Sequence, residues 1–328
     1  MHPNHAENQG SDCDHSCESA HWRPAGLLWY SRSRYNREKF GCRVWRISVD
    51  GGFLCPNRDG ALGDSGCVFC DPDSFSPSRR RSHLSISEQI DEGCRRLKAR
   101  YGAERFVAYF QPATNTYAPP DRLRDVYAQA LSHPDVIGLV IGTRPDCVGD
   151  DVLDLLAELS KRTWLTVEYG LQTIHDRTLD WIGRGHGYGA FLDAVRRSHR
   201  RGLRIGAHVI LGLPGESTQD MLETAGELAR LRIDSVKLHN LHAVKHTPLA
   251  DLVARGEVRL PSLDQYVGWV VDFLERLPAG CVIDRLSGDA PPEYLVGPSW
   301  CLDKSAVRRA IEAEFRRRGT WQGQRCRP

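Results

Sequence analysis

Seven short runs of β-branched and apolar residues alternate with amphipathic segments along this chain, and that alternation constrains its fold more than any other feature. The runs are Arg43–Val49, Phe106–Phe110, Val136–Ile141, Leu165–Gly170, Ile205–Leu211, Ser235–Asn240 and Val282–Leu286, all of strand length. Helix signals lie between them. Ser85 with Glu88 and Ser217 with Asp220 have capping-box spacing; Val152, Leu155, Leu156 and Leu159 share one helical face; a longer apolar stripe runs from Leu263 to Leu274. Alternation of this kind predicts an α/β fold of parallel strands joined by crossovers of one hand. Such units either curl into a barrel or alternate sides of an open sheet, and the pattern leaves both open. In either case the loops after the strands carry the chemistry.

The chain's 328 residues suit one large domain or two smaller ones and bury enough surface to fold without disulfides. No apolar run approaches the roughly 20 residues that cross a bilayer, so no membrane span is expected. Residues 1–22 are polar, lack the apolar stretch of a signal peptide, and read as a flexible tail on a cytoplasmic protein. In that compartment the 11 cysteines are expected as thiols, either ligands or inert core residues. A net charge of +2 gives no overall attraction to polyanions. The C-terminus differs, because from Lys304 onward eight Lys or Arg stand against Glu312 and Glu314. That surplus fits a nucleic-acid contact or a solvated helix face.

The loop after the first strand carries Cys55, Cys67 and Cys70 at spacing C-x11-C-x2-C, among Gly, Asp and Asn residues that favour turns. A closed zinc site or a fully ligated electron-transfer cluster takes four protein ligands. Three thiolates leave one metal position free for a cofactor or substrate atom. With Phe69 directly before the last Cys, the pattern resembles the radical S-adenosylmethionine (SAM) superfamily, whose usual loop is C-x3-C-x-aromatic-C. The wider first gap, CPNRDG from Cys55 and SFSP from Ser74 are similar to the YhcC-like family of predicted iron-sulfur oxidoreductases, relatives of the catalytic elongator subunit. Further blocks at strand ends carry the resemblance: YFQPATNTYAP from Tyr109, IGTRPDC from Ile141, VEYGLQT from Val167, HVILGLPGES from His208, KLHNLHAVKHTPL from Lys237 and RLSGDAP from Arg285.

The resemblance implies a partial, open TIM-type βα barrel, with a radical SAM core over residues 23–290 and a basic helical C-terminal extension over 291–328. It implies that Cys55, Cys67 and Cys70 hold a [4Fe-4S] cluster whose fourth iron is chelated by SAM. Reduction then cleaves SAM to a 5'-deoxyadenosyl radical that abstracts hydrogen from an unidentified substrate, a small molecule or tRNA. A donor such as flavodoxin or ferredoxin supplies the electron. Phe69 is expected by the adenine, and Glu168 and Gln172 by the ribose or amino group. Gln111 and Asn115 stand where many members have a Gly-Gly-Glu stretch, a departure from the family pattern. Thr143 ends the third strand beside Arg144, His208 interrupts the fifth, and Gly212 opens a tight turn whose family counterpart lies beside the adenine.

Lys237, His239, His242, Lys245 and His246 crowd the sixth strand and its loop, which suits an anionic substrate or a plain surface cluster. Asp284 and Arg285 close the same cavity or pair with one another. His2, His5, Cys13, His15, Cys17 and His21 read as incidental metal affinity in the tail, and Cys42, Cys94, Cys147, Cys281, Cys301 and Cys326 as inert thiols. The rival reading is a zinc-stabilised RNA-binding protein in which a fourth ligand such as His83 closes a tetrahedral site with the three cysteines.

Overall fold

The computed structural model describes residues 20–76, 78–79 and 82–327. Nine strands are present among them: β1 (Val44–Val49), β2 (Arg105–Phe110), β3 (Val136–Thr143), β4 (Trp164–Gln172), β5 (Arg204–Leu211), β6 (Ser235–Asn240), β7 (Ala243–Val244), β8 (Val282–Arg285) and β9 (Leu295–Gly297). The helices are α1 (Arg32–Phe40), α2 (Pro72–Phe75), α3 (Ile86–Tyr101), α4 (Pro120–Leu131), α5 (Asp150–Ser160), α6 (Asp176–Trp181), α7 (Tyr188–Arg200), α8 (Thr218–Arg230), α9 (Pro248–Ala254), α10 (Leu263–Leu274) and α11 (Lys304–Arg318). Seven strands form one parallel sheet in the order β1-β2-β3-β4-β5-β6-β8. The sheet curls into a half-barrel jacketed by helices, which settles the choice between barrel and open sheet.

Period-two alternation sorts each strand. Ile47, Val49, Leu139, Ile141, Val167, Tyr169, Ala207, Val209, Val236 and Leu238 join the main hydrophobic core. Tyr169 reaches Ser198 of α7 by a 2.8 Å hydroxyl contact, so its neighbour Glu168 points the other way, into the barrel. His208 and Lys237 follow the same rule, each flanked along its strand by core residues, while Arg46 and His239 adjoin the core residues Ile47 and Leu238. The crossover helices start where the sequence signals them, with complete capping boxes at Ser85/Glu88, Ser217/Asp220 and also Ser262/Gln265.

The seam between β1 and β8 is bridged at the barrel floor. Ser31 pairs with Ile283 of β8, whose N–H donates to the Tyr30 carbonyl at 2.8 Å, and α1 packs on both edge strands. Asp284 of β8 accepts from Arg32 at 2.6 and 3.1 Å and from Arg46 of β1 at 2.6 Å. Asp284 and Arg285 therefore do not pair with one another; Arg285 bonds Asp289 at 2.9 Å.

Several sequence expectations change at the edges. The antiparallel ribbon β7–β9 is too short to give an alternation signal. β3 and β4 run on to Thr143 and Gln172, past the glycines that ended their apolar runs. Trp22, within the expected tail, is fully buried and donates its indole N–H to the Ala279 carbonyl at 2.8 Å. His21 pairs with Glu38, while His2, His5, Cys13, His15 and Cys17 lie outside the described residues. In α11, Val307, Ile311 and Phe315 are buried, and the basic residues are mostly paired. Arg308 and Arg316 bind Glu312, Arg317 and Arg318 bind Glu314, Lys304 binds Asp289 and Arg325 binds Glu275. No helix among the described residues is long and apolar enough to cross a membrane.

Candidate functional site

The loop leaving β1 is pinned before it reaches the first cysteine. Asp50 exchanges two hydrogen bonds with the buried Gln89 amide of α3, at 2.8 and 3.1 Å. The Cys55 carbonyl then accepts from the N–H groups of Arg58 and Asp59, and the eleven-residue spacer folds back on itself. Leu62 N–H donates to the Pro56 carbonyl and Gly66 N–H to that of Asn57, both at 2.8 Å. This return brings Cys67 beside Cys55 across a long gap in sequence. The Cys70 N–H donates to the Cys67 carbonyl at 2.9 Å, and Val68 is tied at 3.0 and 2.9 Å to Ile182 beyond α6 and Leu249 of α9.

All three thiols are free and line one cleft of about 410 Å³, a volume ordinary for a small-molecule site. Burial, together with the nearness of Cys67 and Cys55, pushes the Cys70 thiol up to about 12. Cys67 is the buried member. Its sulfur accepts from Asn57 Nδ2 at 3.3 Å and from Arg184 Nη1 at 3.5 Å.

Deeper in the same cleft, side chains from within β1, β5 and β6 converge on Glu168 of β4, which is 1% exposed. His208 Nε2 bonds its Oε2 at 2.7 Å; Arg46 Nη2 lies 3.1 Å from Oε1 and Lys237 Nζ 3.5 Å from Oε2. Burial alone would raise this carboxyl, but Arg46, Lys237 and His208 together hold it well below the usual range. Lys237 also donates to Tyr109 Oη, and burial lowers its ammonium from 10.5 to about 8 despite Glu168. Burial, reinforced by Lys237, lowers His208. Burial, with Arg285 and other cationic neighbours, takes His239 well below its ordinary value, and its Nε2 has no hydrogen-bond partner. Of the cationic residues read from the sequence, Lys237 thus belongs to a buried ionic ladder and His239 and His242 line the cleft, while Lys245 and His246 are exposed on the loop beyond.

Phe69, Gln111, Thr143, Glu168, Gln172 and His208 line the same cleft as the three cysteines. Gly212 does not: its φ is +86°, and a Cβ there would lie 2.9 Å from the Trp269 ring, so the turn backs onto a helix. Asn115 braces the β2 and β3 ends by donating to the Phe110 and Gly142 carbonyls at 3.1 and 2.8 Å, and is not a lining residue. Thr143 meets Thr116 hydroxyl to hydroxyl at 2.5 Å, and Arg144 pairs with Asp146 at 2.8 Å. His83 is exposed and outside the cleft, so it closes no tetrahedral site with the cysteines. Among the described residues, the metal-ligating side chains whose donor atoms all lie within 4.8 Å are His175, Asp220 and Glu223; the three thiols are set wider. Asn57, Arg184 and Arg46 were missed by sequence reasoning. For Arg184 a signal existed in its flanking Gly183 and Gly185; for Arg46, inside an ordinary strand pattern, none did.

A parallel half-barrel whose first loop gathers three thiols in the cleft at its strand ends defines a radical SAM core. A model described as the radical SAM superfamily matches residues 59–228, and one described as the radical SAM C-terminal domain matches residues 233–317. The chain belongs to the radical SAM superfamily and is an enzyme of that class, which binds a [4Fe-4S] cluster and SAM. It is similar to the protein YtqA of Bacillus subtilis (strain 168), at 39% identity over 295 residues covering 90% of this chain and 92% of YtqA. It is likewise 38% identical over 269 residues to the protein YhcC of Escherichia coli (strain K12), covering 81% of this chain and 85% of YhcC, which supports the YhcC-like grouping. Among solved structures, the Elp3 of Methanocaldococcus infernus with an N-terminal deletion matches at TM-score 0.66 and 17% identity, over 86% of this chain and 64% of that one; this is a likeness of fold.

Proposed function

We propose that Cys55, Cys67 and Cys70 are the protein ligands of the [4Fe-4S] cluster, and that the cleft wall from β2 to β6 holds SAM against it. The observation that carries this reading is the convergence of three free thiols and the buried Glu168 in one cleft. The donor set fits the group: a soft three-sulfur set leaves one position open, and its spacing is wider than a single ion takes. When bound, the cluster and SAM supply a 5'-deoxyadenosyl radical by one-electron reduction of the sulfonium.

The chain's own residues then bind and orient. Glu168, kept ionised by Arg46, Lys237 and His208, offers a fixed carboxylate acceptor for a hydroxyl or ammonium group. Gln172 and Gln111 add amide donors and acceptors, Thr143 bounds the cleft near the β3 end, and Phe69 presents an aromatic face. The substrate would meet the wall formed by His239, His242 and Arg285. With the basic residues of α11 mostly consumed in ion pairs, a polar organic small molecule is the reading preferred over tRNA. A low-potential donor such as flavodoxin or ferredoxin would reduce the centre. The residues 23–290 core and the 291–328 extension remain the proposed division of the chain.

Anaerobic reconstitution followed by reduction with SAM tests the reading. It predicts about four iron and four sulfide per chain and release of 5'-deoxyadenosine. A colourless protein holding one zinc would refute it.

A further inference from the structure

We infer that the eleven-residue spacer is part of the metal site: its Asn57, together with Arg184, forms a pair of N–H donors that holds the Cys67 thiolate and makes it electronically distinct from the other two. The inference rests on the cluster reading above. Asn57 and Arg184 are 4% and 8% exposed, so neither donor is diverted to water. One N–H of Asn57 Nδ2 is shared between the carbonyls of Gly183 and Arg184, at 2.9 and 3.1 Å, which leaves its second N–H for the Cys67 sulfur. Arg184 is fixed by the Gly170 carbonyl of β4, which accepts from Nη2 at 2.8 Å and from Nε at 3.3 Å.

Two glycines make room for this arrangement. A Cβ on Gly185, whose φ of +73° already disfavours other residues, would lie 2.7 Å from Asn57 Oδ1. A Cβ on Gly170 would lie 2.5 Å from Arg184 Nη2. Among the described residues, the sulfurs of Cys55 and Cys70 receive no comparable side-chain donor; Arg58 donates to the Cys70 carbonyl instead. The asymmetry is therefore built by the fold.

Two donors, one of them cationic, favour negative charge on a single sulfur. Hydrogen bonds to cluster sulfurs and nearby charge are the levers that set reduction potential. The electron added by a reductant such as dithionite, with no bond made or broken, increases the charge those donors stabilise. Asn57 and Arg184 are thus positioning residues that favour the reduced side of the couple. A spacer three residues long would have no equivalent of Asn57 folded back to this sulfur.

The test compares reconstituted wild type with Asn57→Ala, Arg184→Lys and Gly170→Ala, reading iron content and midpoint potential by EPR-monitored titration. Asn57→Ala should keep its iron while the reduction equilibrium moves about tenfold toward the oxidised state, roughly 59 mV more negative for one electron. Arg184→Lys and Gly170→Ala should move it in the same direction, the latter without changing any residue of the cysteine loop. Equilibria within twofold of wild type overturn the inference, and so does iron loss from all three variants, which marks a purely structural role. A wild type that assembles no cluster takes down the functional reading and this inference together.

Discussion

The mouth of the half-barrel and its floor are both polar and lie a few side chains apart, yet they are built in opposite ways. At the mouth, residues 55–70 form a loop held largely by its own backbone hydrogen bonds, and the sulfurs it carries face a cleft. On the floor, Arg46, Glu168, Lys237 and Asp284 are charges contributed by four different strands and paired with one another and with Arg32, His208 and Tyr109. The loop is arranged for chemistry and contributes little to holding the barrel together. The floor ladder closes the β1–β8 seam and fixes the Glu168 carboxylate from below. Removing a loop ligand should therefore cost function without stability, and removing a floor charge should cost stability first.

The sharpest way to break this contrast is Cys67→Ala. Iron content and 5'-deoxyadenosine formation should fall to background while the thermal melt of the metal-free chain stays close to wild type. A collapse of the fold would mean the loop is structural. Next in size is Asp284→Ala, which leaves Arg32 and Arg46 facing one another without their shared carboxylate. Stripping one partner from such a buried network costs about 3–5 kcal/mol, to be read by urea denaturation.

The two regions were not equally legible in the sequence. The cysteine loop could be read because its information is local: three thiols, an aromatic residue and turn-forming neighbours within sixteen positions. All seven sheet strands could be read because strands buried over most of their length each leave a short apolar run of their own. Glu168 stood out as a carboxylate in an apolar strand, but the side chains that satisfy it did not. Arg46 and Lys237 come from strands far apart in the chain, and only closure of the barrel makes them neighbours. Lys237 therefore read as one of a cationic group facing an anionic substrate or the surface, when it is paired with Glu168 inside the barrel. Asn57 lies within the CPNRDG motif, but its role depends on a fold-back that spacing does not encode.

Lys237 sharpens the comparison further through pH. Burial lowers its ammonium from 10.5 to about 8, so between those values the unfolded chain holds a proton that the folded chain has released. Stability contributed by this group should rise with pH across that window and be flat below it. Lys237→Met should lose that rise relative to wild type in urea melts at pH 8, 9 and 10; parallel curves would contradict the assignment. The smallest expected effect is that of Arg317→Ala on the far surface. Its pairing with Glu314 is exposed and screened by solvent, and the variant's urea melt should overlay that of wild type.

The most direct test is the EPR spectrum of the reduced protein before and after adding SAM. Three cysteine ligands and one open iron predict a [4Fe-4S] signal whose g values shift when SAM occupies the free position. A spectrum indifferent to SAM, or one that survives Cys67→Ala unchanged, would contradict the account.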